Sequence, residues 1–433
     1  MRTWYFLAGL SLLAVVPAVA QDTLGVRLGI TYTAGTRPGL IILPSVGLDS
    51  VRAILGRDLD YSDRFEVVTL PASEVSRGDG AGRGGAINYA LYRTLGAAYG
   101  LEVAPSTAGG VLLRLHDLAA GAVRREQQVT LPPVESAAFR MEVHRLSDEV
   151  VRWITGLPGI AASQFVYLVD KRAFRIDSDG YNDVAVTSSG EQALSPAWSP
   201  DGNRVAYTRF HEGTGSIVIE DVRSGGQTVV PGTSRDLNIT PTFSPDGQWL
   251  VFARISEEGT DIFKANLASG TAPQRLTAGR FADNLSPTYS PDGRRIAFVS
   301  TRAGLAQVYV MSSDGTDQEL LAPFDYGVTG SSNAPEWSPD GASLVFHRDV
   351  SRSPQIFVLD VNSRRVRQLT SSGRNEDPTW APDGRHVAFV SDRSGRRQLW
   401  IIDMETGRVR QVRTAAAVRL PTWSRRISGT RAQ

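Results

Sequence analysis

The chain has 433 residues, 46 basic and 45 acidic side chains, no cysteine, and a net charge of +1. That length exceeds one ordinary domain, and the charge balance argues against broad binding to nucleic acid or to an anionic membrane. The missing cysteines exclude disulfides and a lipid-modified signal, while 42 glycines and 23 prolines favour a turn-rich, all-β component.

Arg2, the apolar run Trp4 to Val16 and the small residues Ala18-Val19-Ala20 have the pattern of a cleavable secretion signal over residues 1–20. A short buried helix is the other reading of the same run. No later stretch approaches the roughly 18 apolar residues of a membrane helix. The expectation is a soluble mature chain starting near Gln21, secreted and without membrane insertion.

Residues 21–158 lack the repeat that follows and read as an α/β domain. Gly25 to Tyr32 and Leu40 to Leu43 are candidate strands. Ser50 is a candidate cap for a helix through about Leu59, with Val51, Ile54, Leu55 and Leu59 on one face. Phe65 to Leu70 alternates as a strand. Gly78 to Gly85 is a loop, followed by a helix through about Tyr99. Val111 to Leu115 and Val123 to Leu131 form a candidate hairpin. A long amphipathic helix is predicted from Ser136 to Thr155, turning Val143, Leu146, Val150 and Ile154 inward. Gly156-Leu157-Pro158-Gly159 breaks it and marks the boundary of the next domain, 159–427, ahead of a tail at 428–433.

Self-similarity begins at Leu194. Ser195-Pro196-Ala197-Trp198-Ser199-Pro200-Asp201-Gly202 returns around Phe243, Tyr289, Trp337 and Trp380, and a truncated copy, Pro421-Thr422-Trp423-Ser424, stands near the C-terminus. The aromatic residues lie 43 to 48 positions apart, a period that suits a four-stranded propeller blade. Proline presets φ for a tight turn, aspartate bonds its own backbone, and glycine takes the left-handed conformation. Alternating runs after each turn, such as Val205-Ala206-Tyr207 and Ile296-Ala297-Phe298, predict second strands. Third strands follow about ten residues on. Phe165 to Val169 and Ala173 to Ile176 look like second and third strands lacking a first, and Pro421 to Ser424 supplies one. The overlap predicts an all-β six-bladed propeller of WD40-like (PD40) repeats whose ends close on each other, leaving no open edge. An open solenoid is the alternative.

Catalytic patterns are scarce. None of the five histidines (His116, His144, His211, His347, His386) lies within metal-ligand spacing of another, and there is no Gly-x-Ser-x-Gly elbow. The glycine-rich stretch lacks the Lys-Ser/Thr end of a phosphate loop. Asp177 to Asn182 resembles a calcium loop but lacks the twelfth-position carboxylate, and reads as a polar blade turn. No catalytic residue, cofactor or metal is expected. What remains is a surface. Loops entering the innermost strands place Asn238, Asn284 and Asn375 three residues before a proline, and Asn333 stands in the fourth such loop. Arg235, Arg280, Asp283, Arg374 and Glu376 lie nearby. Asparagine suits turns generally; as a set on one rim these residues form a candidate docking ring for a protein or peptide.

The order of signal, small α/β domain, Thr155-Gly156-Leu157-Pro158-Gly159 junction, Asp177 to Asn182 turn and six blades resembles the TolB family, the periplasmic component of the Tol–Pal envelope system. The resemblance covers nearly the whole mature chain. It implies a periplasmic, non-enzymatic, monomeric scaffold that binds the peptidoglycan-associated lipoprotein Pal at the propeller mouth. It further implies an N-terminal segment that contacts the inner-membrane protein TolA, here Gln21, Asp22, Val26, Arg27, Leu28, Ile30 and Arg37, and a role in outer-membrane integrity and constriction at cell division. Two departures stand out: Gly96 to Val103 keeps only part of the family's pattern, and Leu237-Asn238 replaces His-Asn. Besides this reading stand a propeller hydrolase or lyase acting in the channel, and a propeller binding an unrelated envelope protein.

Overall fold

The computed structural model describes residues 37–43, 47–68, 87–106, 110–279, 281–322 and 330–427. The expected signal, the strand at 25–32, the loop at 78–85 and the tail at 428–433 fall outside them.

The N-terminal layer runs β1 (Gly39–Ile42), α1 (Asp49–Tyr61), β2 (Glu66–Val68), α2 (Tyr89–Thr94), β3 (Ala97–Pro105), β4 (Val111–Asp117), β5 (Ala122–Val129) and α3 (Ala137–Thr155). Its strands form one sheet in the order β2-β1-β3-β4-β5. β1 pairs in parallel with β2 and β3, and the remaining pairs are antiparallel. Leu101, Val103, Leu113 and Leu115 bury one face of the sheet against Val51 and Leu55 of α1 and Val143, Leu146 and Val150 of α3.

Helix ends follow local chemistry. The Ser136 hydroxyl accepts the Ala138 N–H at 3.2 Å to start α3, and Gly156 at φ 73° ends it. Two expectations need correction. α1 starts at Asp49 behind Leu48, which makes no side-chain cap bond, so Ser50 lies inside the helix. The helix expected to reach Tyr99 stops at Thr94. Gly96 at φ 84° turns the chain, and Ala97, Leu101 and Val103 gain more by burial in β3 than a further helical turn would give.

Among the described residues beyond Gly159 every regular element is a strand, in a propeller-like arrangement of four-stranded units. Asn284–Tyr289, Arg295–Ser300, Gln307–Ser312 and Glu319–Leu320 make one such sheet; two further sheets begin at Ser332 and Asn375. The fourth closes the ring. Arg419–Trp423 pairs with Gln164–Val169, setting Thr422 opposite Val166 and Trp423 opposite Phe165. The two rings lie 4.4 Å apart between centroids with their planes tilted by 40°, and the Trp423 indole N–H donates to Ser163 Oγ at 2.8 Å. The closure expected from the overlapping ends is therefore present. Strands from Gln192 to Arg275 form one eight-stranded sheet, two four-stranded meanders joined by the single parallel pair Gly215–Leu237. Among the described residues the ring thus consists of five hydrogen-bonded sheets instead of six separate ones.

Each turn between first and second strands repeats one device. Ser199, Ser244, Ser290 and Ser338 donate through Oγ to the aspartate two residues on, at 2.5 Å each. Residues ahead of the inner prolines (Ser195, Thr240, Ser286, Ala334, Asp377, Leu420) all have φ between 48° and 52°. In all six of these strands the ladder register shifts at that point. The bulges turn the first strands around a channel of about 600 Å³.

Candidate functional site

The two ends of the channel differ. First strands begin at Leu237, Asn284 and Asn375 on one face and finish at the Pro-Asp-Gly turns on the other. The N-terminal layer touches residues of the turn face: Asp179, Asp383, Arg385, Asp403 and Arg408. Among the described residues, these contacts of the N-terminal layer lie on the turn face and none reaches the asparagine face, the open mouth.

On that mouth the docking-ring expectation needs correction for three asparagines. Asn238, Asn284 and Asn375 are wholly buried. Asn238 Nδ2 donates to the carbonyls of Gly215 (2.9 Å) and Thr233 (2.8 Å), and its Oδ1 accepts from Arg254 Nε at 2.9 Å. Asn284 bonds the Thr260 carbonyl (3.1 Å) and accepts from Arg302 (3.0 Å). Asn375 bonds Gln355 (2.8 Å) and accepts from Arg393 (2.9 Å). In the fourth loop it is Ser332 that takes the arginine, Arg348, at 3.0 Å, and the adjacent Asn333 is half-buried. These side chains latch one blade to the next, because the buried asparagine amides and the carbonyls they meet must find their partners within the protein. Each arginine also lies on aromatic rings, Arg254 at 4.4 Å from Phe263 and Arg302 at 4.8 Å from Tyr309. The sequence signal was an arginine two or four residues after the second-strand Phe252, Phe298, Phe346 and Phe389. Arg235, Asp283 and Arg374 are exposed on the rim, Glu376 is half-buried between Arg374 (3.1 Å) and Arg397 (3.0 Å), and Arg280 falls outside the described residues.

Inside the channel the hydroxyls of Ser195, Thr240 and Ser286 share the wall with two carboxyls, Glu336 and Asp377. Glu336 Oε1 accepts the Trp380 N–H at 3.1 Å. Burial pushes its carboxyl up to about 7, against the opposing pull of Thr379 and Trp380. Burial likewise raises Asp377, which lies beside His347.

At the turn face, two buried imidazoles bridge the N-terminal layer and the propeller. His144 of α3 lies 2.7 Å from Asp58 of α1 and, through Nε2, 3.8 Å from Asp179. Arg140 donates to Asp179, Arg57 lies 3.5 Å from it, and both guanidinium groups cover the Tyr181 ring. His386 of the propeller lies 2.8 Å from Asp383 and 3.3 Å from Asp63. Asp63 also meets Arg408 (2.9 Å) and, at 4.0 Å, Arg37, the only member of the expected N-terminal signalling segment among the described residues. Gln21, Asp22, Val26, Arg27, Leu28 and Ile30 lie outside them. Burial opposes charge on both histidines, but the flanking carboxylates win: His144 is raised, and His386 reaches about 8. A third contact joins Asp148 of α3 to the N–H groups of Ala161 and Ala162 and to Arg426; burial lifts Asp148 to about 6.

The groups Asp58–His144–Asp179 and Asp63–His386–Asp403 bring possible metal ligands within 4.8 Å of one another. Arg140 already holds Asp179, Arg385 holds Asp403 through two 2.6 Å bonds, and Arg408 holds Asp63. Such cationic surroundings suit proton-bridged ion clusters rather than metal sites. Both imidazoles are also closed off from solvent, which denies them a substrate. The calcium-like turn at Asp177 serves the same joint: Asp177 holds Gln164 and Asn182, and Asp179 holds the arginines.

A ring of four-stranded units closed by its own C-terminal strand, with a sheet-and-helix layer sealed over one face, defines a β-propeller scaffold. The chain belongs to the TolB β-propeller family: the description "TolB beta propeller domain" matches residues 151–328 and 326–428. The Tol-Pal system protein TolB of Xanthomonas oryzae pv. oryzae is 29% identical over 241 residues, 52% of this chain and 54% of that protein. TolB of Xanthomonas campestris pv. campestris is 31% identical over 189 residues, 42% of each. The chain spans about half the length of the curated relatives it matches. The crystal structure of TolB from Acinetobacter baumannii is similar with a TM-score of 0.76 at 23% identity, covering 91% of this chain and 98% of that one, a likeness of fold.

Proposed function

We propose that this protein is a non-enzymatic periplasmic scaffold of a Tol–Pal-type envelope system, with the eight-stranded sheet counting as two of six blades. In this reading the N-terminal domain ends near Pro158, and the open mouth binds a peptidoglycan-associated lipoprotein through rim residues that include Arg235, Arg280, Asp283, Asn333 and Arg374. The segment Gln21 to Arg37 contacts a TolA-type inner-membrane protein, and the assembly supports outer-membrane integrity and constriction during division. The observation that carries the reading is the asymmetry of the ring: one face is sealed by buried ion clusters and the other keeps exposed charged loops. Family membership supports the partner assignment. Among the described residues no helix is long and apolar enough to cross a membrane.

The test is co-purification of the full mature chain with the soluble domain of a Pal-like lipoprotein from the same organism, beside a deletion strain. Binding and a leaky envelope in the deletion are expected. No binding, together with an intact envelope, would sink the reading. Removal of Gln21 to Arg37 is expected to abolish binding to a TolA-type protein and leave the propeller folded; retained binding would refute that assignment.

A further inference from the structure

On the open mouth, Phe281 is 86% exposed, more than any other large apolar side chain among the described residues. It sits in the loop that leads to Asn284, at φ 60°, a left-handed conformation in which a bulky aromatic residue is strained and asparagine or glycine would be at ease. The Phe281 N–H donates to the Glu258 carbonyl at 2.9 Å, and the Ala282 N–H closes the turn on the Gly279 carbonyl at 3.4 Å. The backbone thus fixes an aromatic side chain in water. It belongs to no cluster of the core, so folding alone gives no reason for an aromatic residue here. Strain and exposure at one position are the marks of a contact residue.

Its surroundings state what it would meet. Glu257 and Glu258 form the exposed tip of the neighbouring hairpin, tied to Phe281 through that carbonyl. Asp283 is exposed two residues on, held by the Thr260 hydroxyl donating to its Oδ1 at 2.8 Å. Ile255, 37% exposed, stands at the base of the same tip. An apolar knob with an acidic collar complements an apolar pocket with a basic border.

We propose that Phe281 is the apolar anchor by which the open mouth seats its protein partner, entering a pocket that the partner borders with lysine or arginine side chains facing Glu257, Glu258 and Asp283. The proposal rests on the mouth being the partner-binding face. The acidic collar steers the encounter, and the buried ring holds the complex once formed.

The experiment is calorimetric titration of the full mature chain with the soluble Pal-like domain, for wild type, F281A, F281N and the double variant E257K/E258K. Truncation of an aromatic anchor is expected to weaken binding at least about tenfold. F281N relieves the φ strain, so its melting temperature should match or exceed that of wild type while its affinity falls with F281A. In stopped-flow mixing with the same domain, the double variant should associate more slowly than wild type, and added salt should narrow the difference. Wild-type binding with unchanged F281A and F281N affinity overturns the anchor and leaves the mouth assignment standing. No wild-type binding brings both down together. If instead wild type self-associates through Phe281 and binds the Pal-like domain equally well without it, the partner named here is wrong.

Discussion

Replacing His386 by glutamine gives the sharpest test of the joint. The imidazole is wholly buried between Asp383 and Asp63, and it titrates at about 8 in the folded chain against 6.5 for an ordinary histidine. A folded value above the unfolded one means that the charged form stabilises the fold. Its contribution is complete below pH 6.5 and is lost as pH rises through 8. A gap of this size corresponds to about 2 kcal/mol. Glutamine cannot carry the charge, and breaking a buried pair costs about 3–5 kcal/mol. The variant should therefore be least stable relative to wild type at pH 6, and the deficit should shrink by about 2 kcal/mol by pH 9. Urea unfolding of both proteins at pH 6, 7, 8 and 9, with an NMR titration of the imidazole, measures the two quantities. A deficit that stays constant or grows with pH, or an imidazole midpoint at or below 6.5, would refute the assignment of His386 as a charged bridge.

Three further outcomes follow from the same structure. Glu336 ionises at a cost that accumulates between its ordinary 4.5 and about 7, so E336Q, which keeps the acceptor for the Trp380 N–H, should stabilise the fold at pH 8 by at least about 1 kcal/mol after allowing for channel solvent. At pH 5 urea midpoints should agree; an equal gain at both pH values contradicts the cause. N284A strips partners from Arg302 and the Thr260 carbonyl and should cost about 2–3 kcal/mol in thermal unfolding; a loss under about 0.5 kcal/mol means that the latch is not stabilising. Deleting residues from Arg419 onward bares the edge of Gln164–Val169 and should produce aggregation visible by light scattering, whereas a monomer with unchanged melting would disprove the closure.

The propeller was legible because its instructions are local and repeated. Pro-Asp-Gly turns, an aromatic residue ahead of each, and alternating strands after it all act within about ten residues of chain, where spacing alone reports them. Closure was legible for the same reason, since Phe165 and Trp423 each sit in half of a known pattern. The end of α2 was harder to read: Gly96 and the burial of Ala97 in the sheet decide it, and the second of these is a long-range contact. The rim asparagines were legible as a set but not as to purpose. Their partners Arg254, Arg302 and Arg393 approach across the sheet, and nothing in the linear spacing says whether an asparagine points outward or into a neighbouring blade.

The joint was invisible for a more instructive reason: the clue was a residue out of place. In four turns a serine hydroxyl occupies the aspartate, but the fifth carries Ala381, and Asp383 is released from that bond. Its carboxylate takes His386 and Arg64 instead, and through His386 it reaches Asp63. A single missing hydroxyl thereby converts a scaffold turn into the seat of the N-terminal layer. The fifth copy of the repeat offers Asp383 to the N-terminal layer because no serine hydroxyl occupies it, and among the described residues that layer meets the ring on the turn face. A restored hydroxyl, A381S, would compete for Asp383 and should loosen the joint while leaving the blade intact. Faster protease cleavage near Gly156 with unchanged propeller melting is the expected result, and unaltered cleavage would show that Asp383 can serve both partners at once.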